Sequence, residues 1–319
     1  MTVVGTWNLE NLFRPGGEFG PRDQQTYEAK LAALAATVQA SAVDVLAVQE
    51  VGEPDALADL VALLPGSWHT ALSENFSAAH PIRVGFLSRL PLTQVADAAL
   101  YQAPLAPVQS DDAGSREMWM SRGALAVRVE PAGGPLTLVS VHLKSKLQSY
   151  PPHHDGTPRF NPRDEGERAR YAAYSLFRRS AEAVTVRGLV DTLLDDHGQD
   201  RALAVLGDLN DEPLAATTQI LYGPPGSEIG TPGADVPDRG DGARLWNLAE
   251  LIPAAQRHTR TYRGRGELID HILASHAFLA KVKDVRVPGN EELPTVTDNP
   301  AERRTDRGSD HAPVIATLS

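Results

Sequence analysis

The sequence predicts an α+β fold, a four-layer α/β/β/α sandwich of two mostly antiparallel sheets flanked by helices. Three observations predict it. Strand-length apolar runs outnumber helical patterns and do not alternate strictly with them, which suits two mostly antiparallel sheets packed as a sandwich with helices outside. Several of these runs end in short polar clusters, as in Val205-Leu206-Gly207-Asp208-Leu209-Asn210-Asp211. A Gly/Pro turn, Pro131-Ala132-Gly133-Gly134-Pro135, joins apolar Ala124-Leu125-Ala126-Val127 to Leu136-Thr137-Leu138-Val139 as a hairpin.

In chain order, strands are predicted near 2-9, 43-50, 67-73, 82-89, 123-130, 136-143, 202-208, 268-274 and 312-318. Helices are predicted near 25-40, 54-64, 165-195 and 214-222. Ala-rich Leu31-Ala32-Ala33-Leu34-Ala35-Ala36 combines helical spacing with favourable composition and reads as scaffold. The stretch from Glu165 to Leu194 opens with acids and carries Leu176, Ala183, Val186, Leu189, Val190 and Leu193 at helical intervals. Its opposite side, with Arg168, Arg178, Arg179 and Arg187, reads as a solvated face. Loops 14-24, 148-164 and 223-243 are rich in Pro, Gly and charge and follow polar strand ends, so they are expected to rim a site.

The 319 residues contain no long linker, and the polar clusters begin at Asn8 and end at His311. A single site must therefore gather both ends of the chain, which makes 1-319 one domain. The sequence has 0 cysteines, which excludes disulfides and any thiolate nucleophile or ligand. Met1-Thr2-Val3-Val4 runs straight into the first cluster without the regions of a signal peptide, and no apolar stretch has the length of a membrane span. A soluble cytoplasmic protein with no implied protein partner is expected. The formal net charge of -11 argues against gripping nucleic acid by bulk electrostatics.

Asp208 and Asn210, two apart at a strand end, are expected to face the same way. The other clusters are Thr6-Trp7-Asn8-Leu9-Glu10, Val48-Gln49-Glu50-Val51, Val141-His142-Leu143-Lys144-Ser145, Leu268-Ile269-Asp270-His271-Ile272 and Ser309-Asp310-His311-Ala312-Pro313. Taken in order, WN, QE, HLKS, GDLN, IDHI and SDHAP resemble the endonuclease/exonuclease/phosphatase superfamily over almost the whole chain. HLKS and GDLND look like its bacterial nuclease-like members. The resemblance implies a metal-dependent phosphoesterase. Where secreted deoxyribonucleases carry a Glu supporting a catalytic His, this chain reads Ile82-Arg83-Val84-Gly85-Phe86-Leu87-Ser88, so the partner of His142 is left undefined.

Phosphoester hydrolysis needs a cation on the phosphoryl oxygens, a placed water and a stabilised leaving oxygen. Mg²⁺, with Mn²⁺ as a substitute, suits hard oxygen ligands and needs only one or two protein carboxylates. In the resemblance Glu50 is the primary ligand, with Asp310 nearby and Asn8 orienting Glu50 or touching the metal. Asp208 is the candidate to orient or deprotonate water, whereas Asn210 offers N–H donors without adding charge against the phosphate. Asp211 is left to capping the turn before Pro213. His142 and His311 are the candidate phosphate donors, with Asp270 behind His311 raising its pKa, and His271 reads as structural. Arg122 resembles a phosphate-directed arginine, and Lys144 is a second candidate to neutralise phosphate.

The expected activity is nuclease-type phosphodiester hydrolysis of DNA or RNA, with Trp119, Tyr150 and Phe160 as candidate stacking residues. The alternative is a phosphomonoesterase or a lipid phosphodiesterase, for which His153, His154, Arg159 and Arg163 would hold a polyanionic headgroup. A catalytically dead binding protein should have lost one of the named groups, and none is missing.

Overall fold

The computed structural model describes residues 1–157, 159, 163–237, 240–297 and 299–319. Phe160, one of the expected stacking residues, lies outside them. Two six-stranded sheets dominate. The first has the order Val282–Arg286, Val314–Leu318, Thr2–Leu12, Val45–Val51, Arg83–Ser88, His69–Leu72. The second runs Trp246–Asn247, Asp270–Ala274, Leu203–Asp208, Leu136–His142, Trp119–Val129, Thr93–Leu100. Each sheet holds one parallel pair, Thr2–Leu12 with Val45–Val51 and Leu136–His142 with Leu203–Asp208, and its other pairings are antiparallel.

The facing sheets bury Val4, Val45, Phe86, Leu125, Leu138, Leu206, Ile272 and Val314 between them. The outer face of the first sheet packs Trp7, Leu9, Leu46 and Val48 under helices Gln24–Ser41 and Pro54–Ala62 through Leu34, Leu57 and Leu60. The second sheet turns Val139, Val141 and Val205 toward Ala183, Val186 and Val190 of helix Glu165–Leu194. Four layers result because alternate residues of one strand feed different cores, as Val4 and Trp7 do. Asp23 and Asp164 cap two of the helices by accepting from the Thr26 and Glu167 N–H groups. Among the described residues, no helix is long and apolar enough to cross a membrane.

Strands Thr93–Leu100 and Val282–Arg286 were not expected from the sequence. Both are edge strands. The first is Ala-rich with two register shifts, and the second is short and charged, so neither shows a clean alternation. The helix expected near 214-222 is only Ala216–Gln219.

Candidate active site

The second sheet delivers three site residues as one row. Asp208 is register partner to His142 on one side and to Asp270 on the other. By strand parity all three share the inward face with Leu138, Leu206 and Ile272, so they project between the sheets. Gly207 makes this row possible, since a Cβ there would lie 1.9 Å from the Val141 carbonyl oxygen of the parallel neighbour. After Asp208 the chain does not stay extended. Asn210 adopts a left-handed φ of 54°, its N–H donates to Asp208 Oδ1 at 2.8 Å, and its Nδ2 donates to Leu143 O at 3.0 Å. The turn, rather than strand parity, keeps both side chains at the cavity.

The first sheet supplies the rest. Gln49 points inward, with Oε1 accepting from Thr6 Oγ1 and Nε2 donating to Ser140 Oγ, so regular alternation would turn Glu50 away from the second sheet. Instead Glu50 takes φ 60°, with Glu10 and Asn11 opposite at 49° and 50°. Each left-handed non-glycine costs about 1–3 kcal/mol. The cost re-aims the carboxylate: Glu50 Oε1 accepts from Asn8 Nδ2 at 3.1 Å and Oε2 from the Asn11 N–H at 2.9 Å. Asn8 Nδ2 also donates to Asp208 Oδ2 at 3.0 Å, so one amide ties the two carboxylates together across the sheets. The Asn8 Oδ1 accepts the Glu10 N–H at 2.9 Å, and Asn8 therefore orients carboxylates here. Asp310 and His311 reach the same end because Thr6 pairs with Val314 and Ser309 Oγ donates to Asn8 O at 2.6 Å.

Asp310 Oδ2 lies 3.4 Å from Arg260 Nε, and its N–H donates to Glu10 Oε2 at 3.0 Å. Burial would raise its pKa, but His311, Arg260 and Arg303 outweigh burial and lower it. Glu10, which sequence reasoning left unassigned, is bridged by Arg303. Burial and Asp310 together push its pKa up to about 7. The sequence signal for it was its place two residues beyond Asn8. His311 Nδ1 is 2.7 Å from Asp270 Oδ2. Burial favours the neutral ring, but Asp270 and Asp310 prevail and raise its pKa to about 10. His142 behaves oppositely, since burial and then Arg122 hold it well below its usual value. Its Nδ1 has no partner among the described residues. Asp208 Oδ2 faces both rings, 3.5 Å from His142 Nε2 and 3.9 Å from His311 Nε2, and burial with Asp270 nearby raises its pKa to about 7.

Asp208, Asp270 and His311 have ligand-type atoms within 4.8 Å of one another and form a geometric metal cluster. That set differs from Asn8, Glu50 and Asp310. With Asp270 hydrogen-bonded to it and a raised pKa, His311 is an imidazolium rather than a lone-pair donor, so the trio reads better as acid, imidazolium, acid. Glu50 and Asp310, which line the same cavity, offer the carboxylate oxygens that a hard divalent cation prefers.

Glu10, Glu50, His142, Asp208, Asn210, Asp310 and His311 line a cavity of about 440 Å³. Arg122 lines it as well, and its guanidinium makes no hydrogen bond or ion pair among the described residues. Lys144 does not reach the cavity. Its ammonium donates to Ser145 O at 3.1 Å and Leu147 O at 2.7 Å, whereas Lys146 lines the wall 3.3 Å from Asp211. His80, also unforeseen, lines the wall, meets Asn11 Oδ1 at 3.2 Å and stacks on Phe19. A further wall comes from a small sheet, Arg260–Tyr262 with Arg265–Glu267 and Thr295–Val296, which sequence reasoning missed. Of the three expected rims, loop 148-164 contributes Gln148 and Tyr150. Loop 14-24 reaches the wall only indirectly, through Phe19 against His80. Loop 223-243 lines a separate cavity with Trp246 and His276. Trp119 is exposed and not among the lining residues, and His271 points to the other face, with Nε2 2.9 Å from Asp211 O.

The family model described as the endonuclease/exonuclease/phosphatase family matches residues 5–311. No curated protein matches the sequence. Among solved structures, a humanised D. rerio TDP2 carrying 14 mutations is 15% identical with a TM-score of 0.55, covering 100% of this chain and 98% of that one. The Bacteroides thetaiotaomicron VPI-5482 mannosyl-6-phosphatase is 14% identical with a TM-score of 0.56, covering 100% of both chains. At such identities the likeness concerns the fold. The chain belongs to the endonuclease/exonuclease/phosphatase family and is a phosphoric ester hydrolase.

Proposed function

We propose that this family member is a divalent-metal-dependent phosphodiesterase, a nuclease that opens DNA or RNA phosphodiester bonds by attack of water. The carrying observation is Asn8 Nδ2, 3.1 Å from Glu50 and 3.0 Å from Asp208, opposite a His311–Asp270 pair. An oxygen-donor group and a cationic hydrogen-bond donor thus flank one carboxylate that can take a proton. Glu50 and Asp310 would hold Mg²⁺ or Mn²⁺, which when bound would supply positive charge against the phosphoryl oxygens. Asp208 accepts the proton of the attacking water at Oδ2, the oxygen that faces both rings. His311 donates from Nε2 to phosphate or leaving oxygen, and Asp270 keeps it charged. Asn210 and Arg122 hold non-bridging oxygens. His142, being neutral, adds a hydrogen bond without a charge.

A phosphomonoesterase or a headgroup-releasing lipid phosphodiesterase is the second reading. It is favoured by a cavity of about 440 Å³, a size that encloses a small ligand. It draws no support from His153, His154, Arg159 or Arg163, none of which lines the cavity, and Arg159 is bound to Glu167 at 2.9 and 2.6 Å. The test is the purified protein with Mg²⁺ against plasmid, oligonucleotide, bis-p-nitrophenyl phosphate, sugar and inositol phosphates, and phospholipid. Cleavage of nucleic acid and of the bis-ester is expected. Release of inorganic phosphate from sugar or inositol phosphates, with nucleic acid left intact, would replace the first reading by the second.

A further inference from the structure

Helix Glu165–Leu194 does not turn all its charged residues to solvent. Arg179 is 6% exposed and Glu182 0%, which corrects the solvated face expected for this arginine row. Glu182 Oε1 accepts the Ser121 N–H at 3.2 Å, and its Oε2 accepts the Lys144 N–H. One turn earlier, Arg179 Nη1 donates to Lys144 O at 3.1 Å, and its Nε reaches Asp211 Oδ2 at 3.2 Å. Arg178 Nη2 donates to Ser121 Oγ at 2.6 Å. The backbone of Lys144 is thus held at both its N–H and its carbonyl from a helix that contributes no side chain to the row of Asp208, His142 and Asp270.

The gripped groups are chain neighbours of the site. Ser121 precedes Arg122. Lys144 follows Leu143, whose carbonyl accepts Asn210 Nδ2, and Asp211 follows Asn210. Ala183, Val186 and Val190 already pack this helix into one buried apolar cluster with its sheet, so a fully buried carboxylate is not needed for packing and is costly to desolvate. What the carboxylate adds is direction: it fixes two strand ends relative to each other, and with them the guanidinium of Arg122 and the amide of Asn210.

We propose that Glu182 is a positioning residue that aims Arg122, and through Leu143 also Asn210, at the substrate phosphate. This rests on the phosphoesterase reading above. Glu182→Gln preserves the shape but leaves one acceptor oxygen for two N–H groups, and it is expected to remain folded by circular dichroism. Its kcat/KM on bis-p-nitrophenyl phosphate should fall about ten-fold, the scale of a small misplacement of a binding group. In an Arg122→Ala background the same change should cost only about two- to three-fold, because one of the two groups it aims is gone and only the part through Leu143 to Asn210 is left. In a His311→Ala background it should keep its full factor of about ten, since His311 shares no hydrogen-bond partner with Glu182.

A merely structural role would give one factor in all three backgrounds and overturn the proposal, as would a wild-type rate in Glu182→Gln. Arg179→Lys, which cannot hold Lys144 O and Asp211 together, reads the other half of the clamp if Glu182→Gln fails to fold. The same cycle is run on inorganic phosphate affinity by calorimetry. Coupling in that affinity, with no ester hydrolysis by the wild type, would sink the phosphoesterase reading and keep the role of Glu182. Hydrolysis with additive cycles would do the reverse, and a wild type that neither binds phosphate nor hydrolyses esters would remove both.

Discussion

His142 ends a strand of the second sheet and His311 precedes the strand Val314–Leu318 of the first; both are buried and both face Asp208 Oδ2, yet they carry opposite charge preferences. His142 Nδ1 has no partner among the described residues, and Arg122 adds repulsion to burial. His311 has Asp270 at 2.7 Å behind it and Asp310 beside it. Burial is common to the two rings, so the group behind each ring decides its charge. The cavity therefore sets one cationic and one neutral ring on either side of Asp208 Oδ2, the proposed proton acceptor.

The largest expected effects break this arrangement at its centre. Asp208→Asn and His311→Ala should each lower turnover by about two or more orders of magnitude, the scale for losing a general base or a charge-stabilising donor. His142→Ala, which removes a donor without removing charge, should cost about ten-fold. Steady-state rates at saturating metal compare the three, and a His142 variant slower than the His311 variant would invert the assignment.

A smaller effect sharpens the comparison through pH. If Asp208 acts as the base and His311 as the imidazolium, activity is greatest between the Asp208 pKa of about 7 and the His311 pKa of about 10, and is lost as pH rises through the latter. Removing Asp270 removes the main group that raises this pKa, so Asp270→Asn should move the alkaline limb of the pH–rate profile toward lower pH by about one unit or more. An unmoved limb would show that another group titrates there.

The smallest expected effect concerns the two lysines. Lys146→Met should raise KM for an anionic ester by roughly three-fold, in a salt-dependent way suited to a half-exposed, already paired cation. Lys144→Met should leave KM nearly unchanged, because its ammonium is committed to the Ser145 and Leu147 carbonyls. Equal effects would return Lys144 to the substrate.

Much of this was legible in the sequence because the chemistry sits at strand ends, where an apolar run stops at a polar pair. Glu50, His142, Asp208, Asn210, Asp310 and His311 lie beside such strand ends and line the cavity, while Asn8 and Asp270 reach it through hydrogen bonds to Glu50, Asp208 and His311. What the pattern could not carry was direction. Glu50 reaches the cavity only through a left-handed backbone that no side-chain periodicity reports. Glu182 and Arg179 were hidden because helical periodicity treats charge as exposure, whereas here the charged groups bond to backbone of a neighbouring sheet. The small sheet around Arg260–Tyr262 is built from strands of 2 and 3 residues, too short to show alternation.

The most direct test of the account is hydrolysis of bis-p-nitrophenyl phosphate by wild type and Glu50→Gln, with Mg²⁺ and with excess EDTA. Wild-type turnover with Mg²⁺, its loss in EDTA and its return when Mg²⁺ or Mn²⁺ is restored are predicted. Glu50→Gln should stay folded and require more metal for any residual rate. Full activity in EDTA, or a Glu50→Gln variant with unchanged metal dependence, would contradict the oxygen-ligand centre on which the proposed chemistry depends.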